Sequence, residues 1–489
     1  MNVLESISKY QKFIFFSCLI LAVFSFIDKT LAVGTIFIAF LTSVTFIFIN
    51  KNKEEKQRKI LSALFIIVFL LHILGVLFLY YANFQPFSGG YGDFVVYERQ
   101  AQEIVDRVQQ GNLSLQGVGI GHYYPVIIGY LYAFTVSSML IGQILNAWLV
   151  AIIVIFVYLI VREIGGSEKQ GFLTGLITSA YPSLAFYGSL LLKDALVVLL
   201  CLVGLLLTIK IIKRFSWIIF SIFYITLTAL IHFRFYVGYA VMFSFIISWF
   251  LVSAFNLKKR IIYGIILLVL LGFSPQFLGY GYFGFKNFKA FLNPETITYY
   301  REIVYALPTQ SQPADSQPAD SQPADSQPAD SQPADSQPAD SQPADSQPAD
   351  SQPIIGRDST TIVKTGFENP FTFLKNTSLS FINSLFGPFP WQMTQKKHFL
   401  VLSEVIAWYF LFFFIIKGIK KSIKDKYKVI LPLIIFSILL IGVLSLFMTN
   451  FGIITRIRMP AFLSLLCLFP LGFEKLKNIK IPFLEKYFI

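Results

Sequence analysis

Residues 51–82 read KNKEEKQRKILSALFIIVFLLHILGVLFLYYA, and this stretch indicates the fold class. Its first nine residues carry five Lys and Arg side chains, and the 23 that follow contain no Asp, Glu, Lys or Arg. About 20 consecutive apolar residues cross the hydrocarbon core of a bilayer as a helix. Basic side chains beside such a run favour the cytoplasmic face. The stretch therefore predicts a transmembrane helix that begins at that face.

The same pattern repeats along the whole chain of 489 residues. Only 14% of the residues are charged, against roughly 25% in a soluble domain, and the mean hydropathy is +0.65. The sequence therefore predicts an all-α polytopic membrane protein with about 12 transmembrane helices. The predicted spans are 12–27, 31–50, 60–82, 138–162, 169–187, 194–213, 216–233, 236–256, 260–281, 398–416, 429–448 and 460–474.

The distribution of basic residues predicts the orientation of these spans. The formal net charge is +13, but the Lys and Arg side chains fall in short clusters between apolar runs, so nucleic acid is not a predicted partner. If the N-terminus is cytoplasmic and the spans alternate, nearly every basic cluster falls on the cytoplasmic side. Residues 125–134 are apolar but too few to span, so they predict a juxtamembrane or re-entrant helix on the outer side.

Two long loops then face outward, at 83–137 and 284–397. The second contains eight tandem copies of Ser-Gln-Pro-Ala-Asp over 311–350, in which a Pro at every fifth residue prevents regular helix or strand. Because the repeat has no apolar residue larger than Ala, it predicts a disordered, solvated spacer. Four regions follow: an N-terminal hairpin with its basic loop (1–59), a transmembrane core (60–283), the repeat-bearing loop (284–397) and the C-terminal helices (398–489).

The first outer loop carries the clearest candidate for chemistry. It reads SGGYGDFVVYERQAQEI over 88–104, a Gly-rich turn followed by an amphipathic helix. Asp93 stands where a helix N-cap would stand, and one interpretation is that it caps the helix. The other is that it is a general base, held at the outer membrane surface to act on an acceptor hydroxyl.

The layout of this loop resembles that of the GT-C membrane glycosyltransferases, a group that includes protein mannosyltransferases and lipid A aminoarabinose transferases. The resemblance rests on Asp93 early in the loop, on a Tyr-Tyr-Pro start to the next apolar segment at 123–125, and on further sequence to about residue 275. That further sequence includes VREIGG at 161–166, AYP at 180–182 and YGSLLLKD at 187–194, and RIRMP at 456–460 continues it. Many relatives have two acidic residues in the loop, whereas here Asp93 stands alone until Glu98, which leaves a divalent cation as an open question. Two helices also precede the usual first one.

The resemblance implies transfer of a sugar from a polyprenyl-phosphate carrier to a glycan, lipid or protein acceptor on the outer face of a bacterial cytoplasmic membrane. Such a site needs a base and cations for the lipid phosphate. The candidate substrate-binding residues, all on the predicted outer side, are Glu98, His122, Lys193, Asp194, His232, Arg234, Arg456 and Arg458. Simpler roles stay open, such as an interfacial ion pair, a membrane anchor or a lipid-headgroup contact.

Three other functions remain as alternatives. An O-antigen-type polysaccharide polymerase or ligase also uses lipid-linked sugars, and would give importance to Arg357 and Lys364 in the late loop. A secondary transporter is disfavoured because no two-fold repeat is seen and the charges lie near the outer surface. The third alternative is a non-catalytic envelope protein whose spacer presents the outer loop. The chain has no nucleotide-phosphate loop and no dinucleotide fingerprint, so no nucleotide cofactor is expected.

Overall fold

The computed structural model describes residues 23, 26, 28–51, 54–84, 92–114, 123–304, 367, 369–393, 399–448 and 450–479. Within these residues the chain is helical and has no β-strand. The α-helices are α1 Lys29–Asn50, α2 Glu55–Ala82, α3 Asp93–Gln109, α4 Tyr123–Phe134, α5 Met139–Glu163, α6 Glu168–Ser179, α7 Pro182–Tyr187, α8 Asp194–Lys213, α9 Trp217–Val252, α10 Leu257–Gly272, α11 Gly281–Phe291, α12 Pro294–Thr298, α13 Pro370–Phe386, α14 Phe399–Asp425, α15 Tyr427–Phe447, α16 Phe451–Ile457, α17 Met459–Leu466 and α18 Phe469–Gly472. The predicted repeat at 311–350 and the predicted span 12–27, apart from two positions, lie outside the described residues.

Seven of the described helices are long and apolar enough to cross a membrane, and the number is eight if a bent pair counts as one span. The seven are α1, α2, α5, α8, α9, α14 and α15. The bent pair joins Phe451–Ile457 to Met459–Gly472 at an angle of 47°. The chain is therefore a multi-pass membrane protein.

The longest helix, α9, is folded back on itself. The ring centroids of Phe223 and Phe245 are 4.8 Å apart, whereas 22 residues of straight helix would separate them by about 33 Å. The backbone leaves helical geometry at Arg234, where φ is −160° and ψ is 88°. Two antiparallel arms therefore meet at Arg234, and the turn lies where the sequence predicted one between 216–233 and 236–256.

Two predicted spans are shorter in the structure, and each has a proline at the break. The predicted span 169–187 is divided into α6 and α7, because Pro182 disfavours helical geometry in the preceding Tyr181, whose ψ is 117°. The predicted span 260–281 corresponds to α10, which ends at Gly272, three residues before Pro275. Conversely, α14 continues beyond residue 416 through lysines that were assigned to a loop, since Lys is a good helix former.

Helix α5 lies at the centre of the bundle. Of its most apolar window, 72% is buried, compared with 28% for α1, so α5 packs inside while α1 lies at the edge. A helix that is apolar on all sides is expected in such a position. Helices α2, α6 and α8 pack directly against α5.

Charged residues lie at both ends of the bundle, and the two ends carry different segments of the chain, as expected for helices that alternate in direction. At one end, named here the lysine end, Lys213 Nζ lies 2.7 Å from Glu163 Oε1 and Lys426 donates to the carbonyl of Gly165. At the other, named the site end, Asp93 meets Arg456. Helices α3 and α4 pack against each other at the site end, and α4, at 12 residues, is too short to span.

Candidate functional site

Four charged side chains from distant parts of the sequence meet at the site end. Arg456 Nη1 donates to Asp93 Oδ2 at 2.6 Å, and Arg456 Nε donates to Asp194 Oδ2 at 2.5 Å. Arg234 Nη1 lies 2.9 Å from Asp194 Oδ1, an ion pair whose angles fall outside those of a hydrogen bond. These four residues are called the charge cluster below. The sequence predicted all four as site residues, but it did not predict which of them pair.

Each member of the charge cluster lies at the end of a helix or at a break in one. Asp93 is the first residue of α3, with Gly92 as the N-cap, so the interpretation of Asp93 as the cap is wrong. Asp194 is the first residue of α8, and Arg234 is the turn residue of α9. Both carboxylates therefore lie in the first turn of a helix, where the helix dipole favours negative charge.

The members of the charge cluster differ in their exposure to solvent. The side chain of Asp194 is 1% exposed and that of Arg456 is 17% exposed, while that of Asp93 is 54% exposed. A buried carboxylate needs its cationic partners, because a buried unpaired charge is costly. Asp194 therefore fixes the two arginines, whereas Asp93 lies at the solvent-exposed edge of the charge cluster.

Lys193 extends the positive side of the site. It is buried and directly precedes Asp194. Burial, together with the nearby charge of Arg234, lowers the pKa of Lys193 to about 8. Lys193 therefore gives up its proton more readily than an exposed lysine does.

A buried amide holds the turn that carries Lys193 and Asp194. Asn146 Nδ2 donates to the carbonyls of Leu190 and Leu192, at 2.5 and 2.9 Å. Asn146 Oδ1 accepts a hydrogen bond of 2.7 Å from the hydroxyl of Tyr124. The sequence interpretation missed Asn146, although an Asn within an otherwise apolar span was the available signal.

Glu98 and His232 lie outside the charge cluster. The Tyr132 hydroxyl donates to Glu98 Oε2 at 2.5 Å, and burial raises the pKa of Glu98. His232 Nδ1 is 2.9 Å from the carbonyl of Thr228, and its ring centroid lies 5.5 Å from that of Tyr123. The predicted site residue His122 lies outside the described residues.

Arg458 does not join the charge cluster, in contrast to the sequence interpretation. It is 1% exposed, its Nη2 lies 3.0 Å from Glu404 Oε1, and its Nη1 donates to the carbonyl of Gly387 at 2.5 Å. Glu404 also accepts hydrogen bonds from the hydroxyl of Tyr181 at 2.7 Å, from the backbone N–H of Ser183 at 2.9 Å and from the Ser183 hydroxyl. Glu404 and Arg458 therefore join α7, α14 and the α16–α17 break, and the sequence interpretation missed Glu404.

The described residues contain no group of three or more His, Cys, Asp or Glu side chains that could hold a metal ion. Between Asp93 and Asp194 lies the guanidinium of Arg456, which bonds to both carboxylates. The chemistry that these residues offer is a partly exposed carboxylate beside guanidinium and ammonium groups. No family model matches this chain, and no curated protein matches it.

Proposed function

We propose that this protein is a GT-C-like membrane glycosyltransferase, with about twelve spans, that moves a sugar from a polyprenyl-phosphate carrier to an acceptor of the cell envelope. The proposal includes a bacterial cytoplasmic membrane and an active site on its outer face. One observation carries it: Asp93, Asp194, Arg234 and Arg456, separated widely in sequence, meet through contacts of 2.5–2.9 Å at one end of a helical bundle.

The charge cluster fits a reaction in which a lipid phosphate leaves. Arg456, the more exposed of the two arginines, presents a forked donor that matches phosphate oxygens, and the buried Arg234 and Lys193 add two positive charges behind it. These cations stabilise the negative charge that develops on the phosphate as the bond to the sugar breaks. Asp194 is too deeply buried to meet a substrate directly, so its role is to hold the two guanidinium groups in place.

Asp93 is the proposed general base. An arriving phosphate competes with Asp93 for Arg456, which frees the exposed carboxylate to accept a proton. Asp93 then takes the proton of the acceptor hydroxyl, and the acceptor oxygen bonds to the anomeric carbon of the sugar. The bond from that carbon to the phosphate oxygen breaks, and its electron pair leaves with the polyprenyl phosphate.

Donor binding by purified protein tests the phosphate-binding part of this proposal. A radiolabelled polyprenyl-phosphate sugar in detergent micelles is expected to bind Asp93→Asn at least as tightly as wild type, because the phosphate then no longer competes with a carboxylate for Arg456. Arg456→Gln is expected to bind more weakly, by about tenfold to a hundredfold, the usual worth of a hydrogen bond to a charged group. Equal donor binding by wild type and Arg456→Gln would contradict the assignment of the phosphate to this site.

A further inference from the structure

Two adjoining cavities open at the lysine end of the bundle, away from the charge cluster. One has a volume of about 430 Å³ and the other of about 560 Å³, and they share Glu163 and Lys213 in their walls. The ends of α5 and α8 and the start of α15 surround them. The two cavities together are called the basic cleft below.

Positive charge exceeds negative charge along the basic cleft. Its basic side chains are five, against two acidic ones, an excess of three positive charges. They are Lys210, Lys213, Arg214, Lys426 and Lys428, with Glu163 and Asp425. Contacts within the protein neutralise only part of this positive charge.

Two of the five basic groups already have partners inside the protein. Lys213 Nζ contacts both the carboxylate and the carbonyl of Glu163, and Lys426 Nζ donates to the carbonyl of Gly165. By contrast, the side chains of Lys210 and Arg214 make no hydrogen bond or ion pair with any described residue. Among the described residues, Lys428 contacts the ring of Tyr427, at 5.9 Å, and forms no hydrogen bond or ion pair. Three exposed cations therefore line the basic cleft without a hydrogen bond or ion pair to the described residues.

The remaining wall is apolar, which restricts the class of ligand. Ile212, Val252 and Val429 line one cavity, while Phe215 and Ile219 line the other. A free inorganic anion gains nothing from such a wall, whereas the glycerol and upper acyl carbons of a phospholipid do. The basic cleft also lies where apolar spans end, which is the depth of lipid headgroups.

We propose that the basic cleft binds an anionic phospholipid headgroup, with Lys210 and Arg214 in one cavity and Lys428 in the adjoining one as the cations that attract it. This proposal does not depend on the glycosyltransferase function, since it concerns the opposite end of the bundle. Guanidinium and ammonium groups bind phosphate by charge-assisted hydrogen bonds, and an anionic headgroup is favoured over a zwitterionic one because it brings no positive charge of its own.

Thermal unfolding of the full-length protein in mixed micelles tests this inference. Phosphatidylglycerol and phosphatidylcholine are compared at equal mole fraction, and inorganic phosphate is added alone in a third sample. The cleft variant is Lys210→Gln/Arg214→Gln/Lys428→Gln. The matched control is Lys417→Gln/Lys420→Gln/Lys424→Gln, which removes the same charge from exposed positions of α14 that do not line the basic cleft.

Phosphatidylglycerol is expected to raise the unfolding midpoint of wild type and of the control by about 2 °C or more over phosphatidylcholine, because a ligand that binds only the folded state stabilises it. The cleft variant is expected to lose this difference while it keeps the wild-type midpoint in phosphatidylcholine. An undiminished difference in the cleft variant, or none in wild type, would overturn the proposal. An equal rise with inorganic phosphate alone would overturn the assignment to a lipid.

Discussion

Arg456 Nε lies 2.5 Å from Asp194 Oδ2, although the two residues are 262 positions apart in the sequence. The contact joins the last helical turn before the α16–α17 break to the first residue of α8. Because Arg456 also reaches Asp93, this one side chain connects a buried carboxylate to an exposed one. The proposed chemistry depends on that connection.

Replacement of Asp194 by Asn is expected to destabilise the protein strongly. The substitution leaves Arg234 and Arg456 without their buried countercharge, a loss that typically costs about 3–5 kcal/mol. Denaturant unfolding of the purified protein measures the effect. Asp106→Asn, on the exposed face of α3, is the control and is expected to change the free energy of unfolding by less than about 0.5 kcal/mol. Similar values for the two variants would show that the pairing of Asp194 contributes no stability.

Donor affinity is expected to fall as the pH rises through about 8, the lowered pKa of Lys193. Below that pH the ammonium group is charged and attracts the lipid phosphate, and above it the group is neutral. The KM for the donor, measured from pH 6.5 to 9.5 in steps, should therefore rise at the alkaline end. Lys193→Arg should abolish the rise, because a guanidinium stays charged over this range. A pH profile unchanged in Lys193→Arg would exclude Lys193 as its cause.

The lowered pKa of Lys193 also predicts how the free energy of unfolding changes with pH, so a loss of affinity can be distinguished from a loss of structure. In the unfolded chain Lys193 titrates near its ordinary pKa of about 10.4, so between about 8 and 10.4 the unfolded state binds more protons than the folded state. The contribution of Lys193 to the free energy of unfolding therefore increases with pH in this window. Unfolding measurements over the same pH range check the sign, and wild type should lose less stability with rising pH than Lys193→Gln.

The Glu404–Arg458 pair is expected to behave as a coupled unit. Arg458→Met leaves Glu404 buried without its cation and should cost about 3–5 kcal/mol. The double variant Glu404→Gln/Arg458→Met removes both charges and should be more stable than Arg458→Met, since Gln can still bond to Tyr181 and Ser183. A double-mutant cycle of unfolding free energies measures this coupling. Additive effects of the two substitutions would contradict a direct interaction.

Close helix packing at Gly472 is expected to make this position intolerant of Ala. A Cβ there would lie 2.0 Å from the carbonyl oxygen of Phe414 and 2.6 Å from the backbone N of Gly418, so the helices would have to separate. Gly472→Ala should therefore lower the unfolding midpoint in denaturant. Gly442→Ala is the matched control, because a Cβ there meets nothing within 4 Å and Ala favours helix by about 1 kcal/mol. Equal effects of the two substitutions would contradict this account.

The sequence predicted the helical bundle and the residues of the charge cluster, because apolar length and the placement of charges are local properties. It also predicted the turn at Arg234, where a charged residue interrupts two apolar runs. Which carboxylate meets which arginine depends on how distant helices pack, and no local pattern encodes it. Pro182 and Pro275 indicate the breaks in 169–187 and 260–281, although each segment is long and apolar enough to predict a single span.

Arg458 pairs with Glu404 and not with the charge cluster, because of its position on the helix. Arg456 and Arg458 are two positions apart in a nearly helical segment, and such neighbours point about 200° apart around the helix axis. One therefore faces Asp93 and Asp194 while the other faces the interior and Glu404. Their shared position in the sequence suggested a shared role, whereas helical geometry separates them. The single Glu in the apolar run 398–416 was the signal for the buried partner.

Sugar transfer in membranes, with a radiolabelled polyprenyl-phosphate sugar as donor and cell envelope as acceptor, tests whether Asp93 is the base of a glycosyltransferase. Wild type is compared with Asp93→Asn and with Glu103→Gln, a control at an exposed position on the same helix. We expect transfer by wild type and by Glu103→Gln, and a rate lower by about 10²–10⁴ in Asp93→Asn at equal expression, the usual effect of losing a general base. Equal transfer by Asp93→Asn and wild type would contradict the role of Asp93, and no transfer by wild type would contradict the proposed donor and reaction.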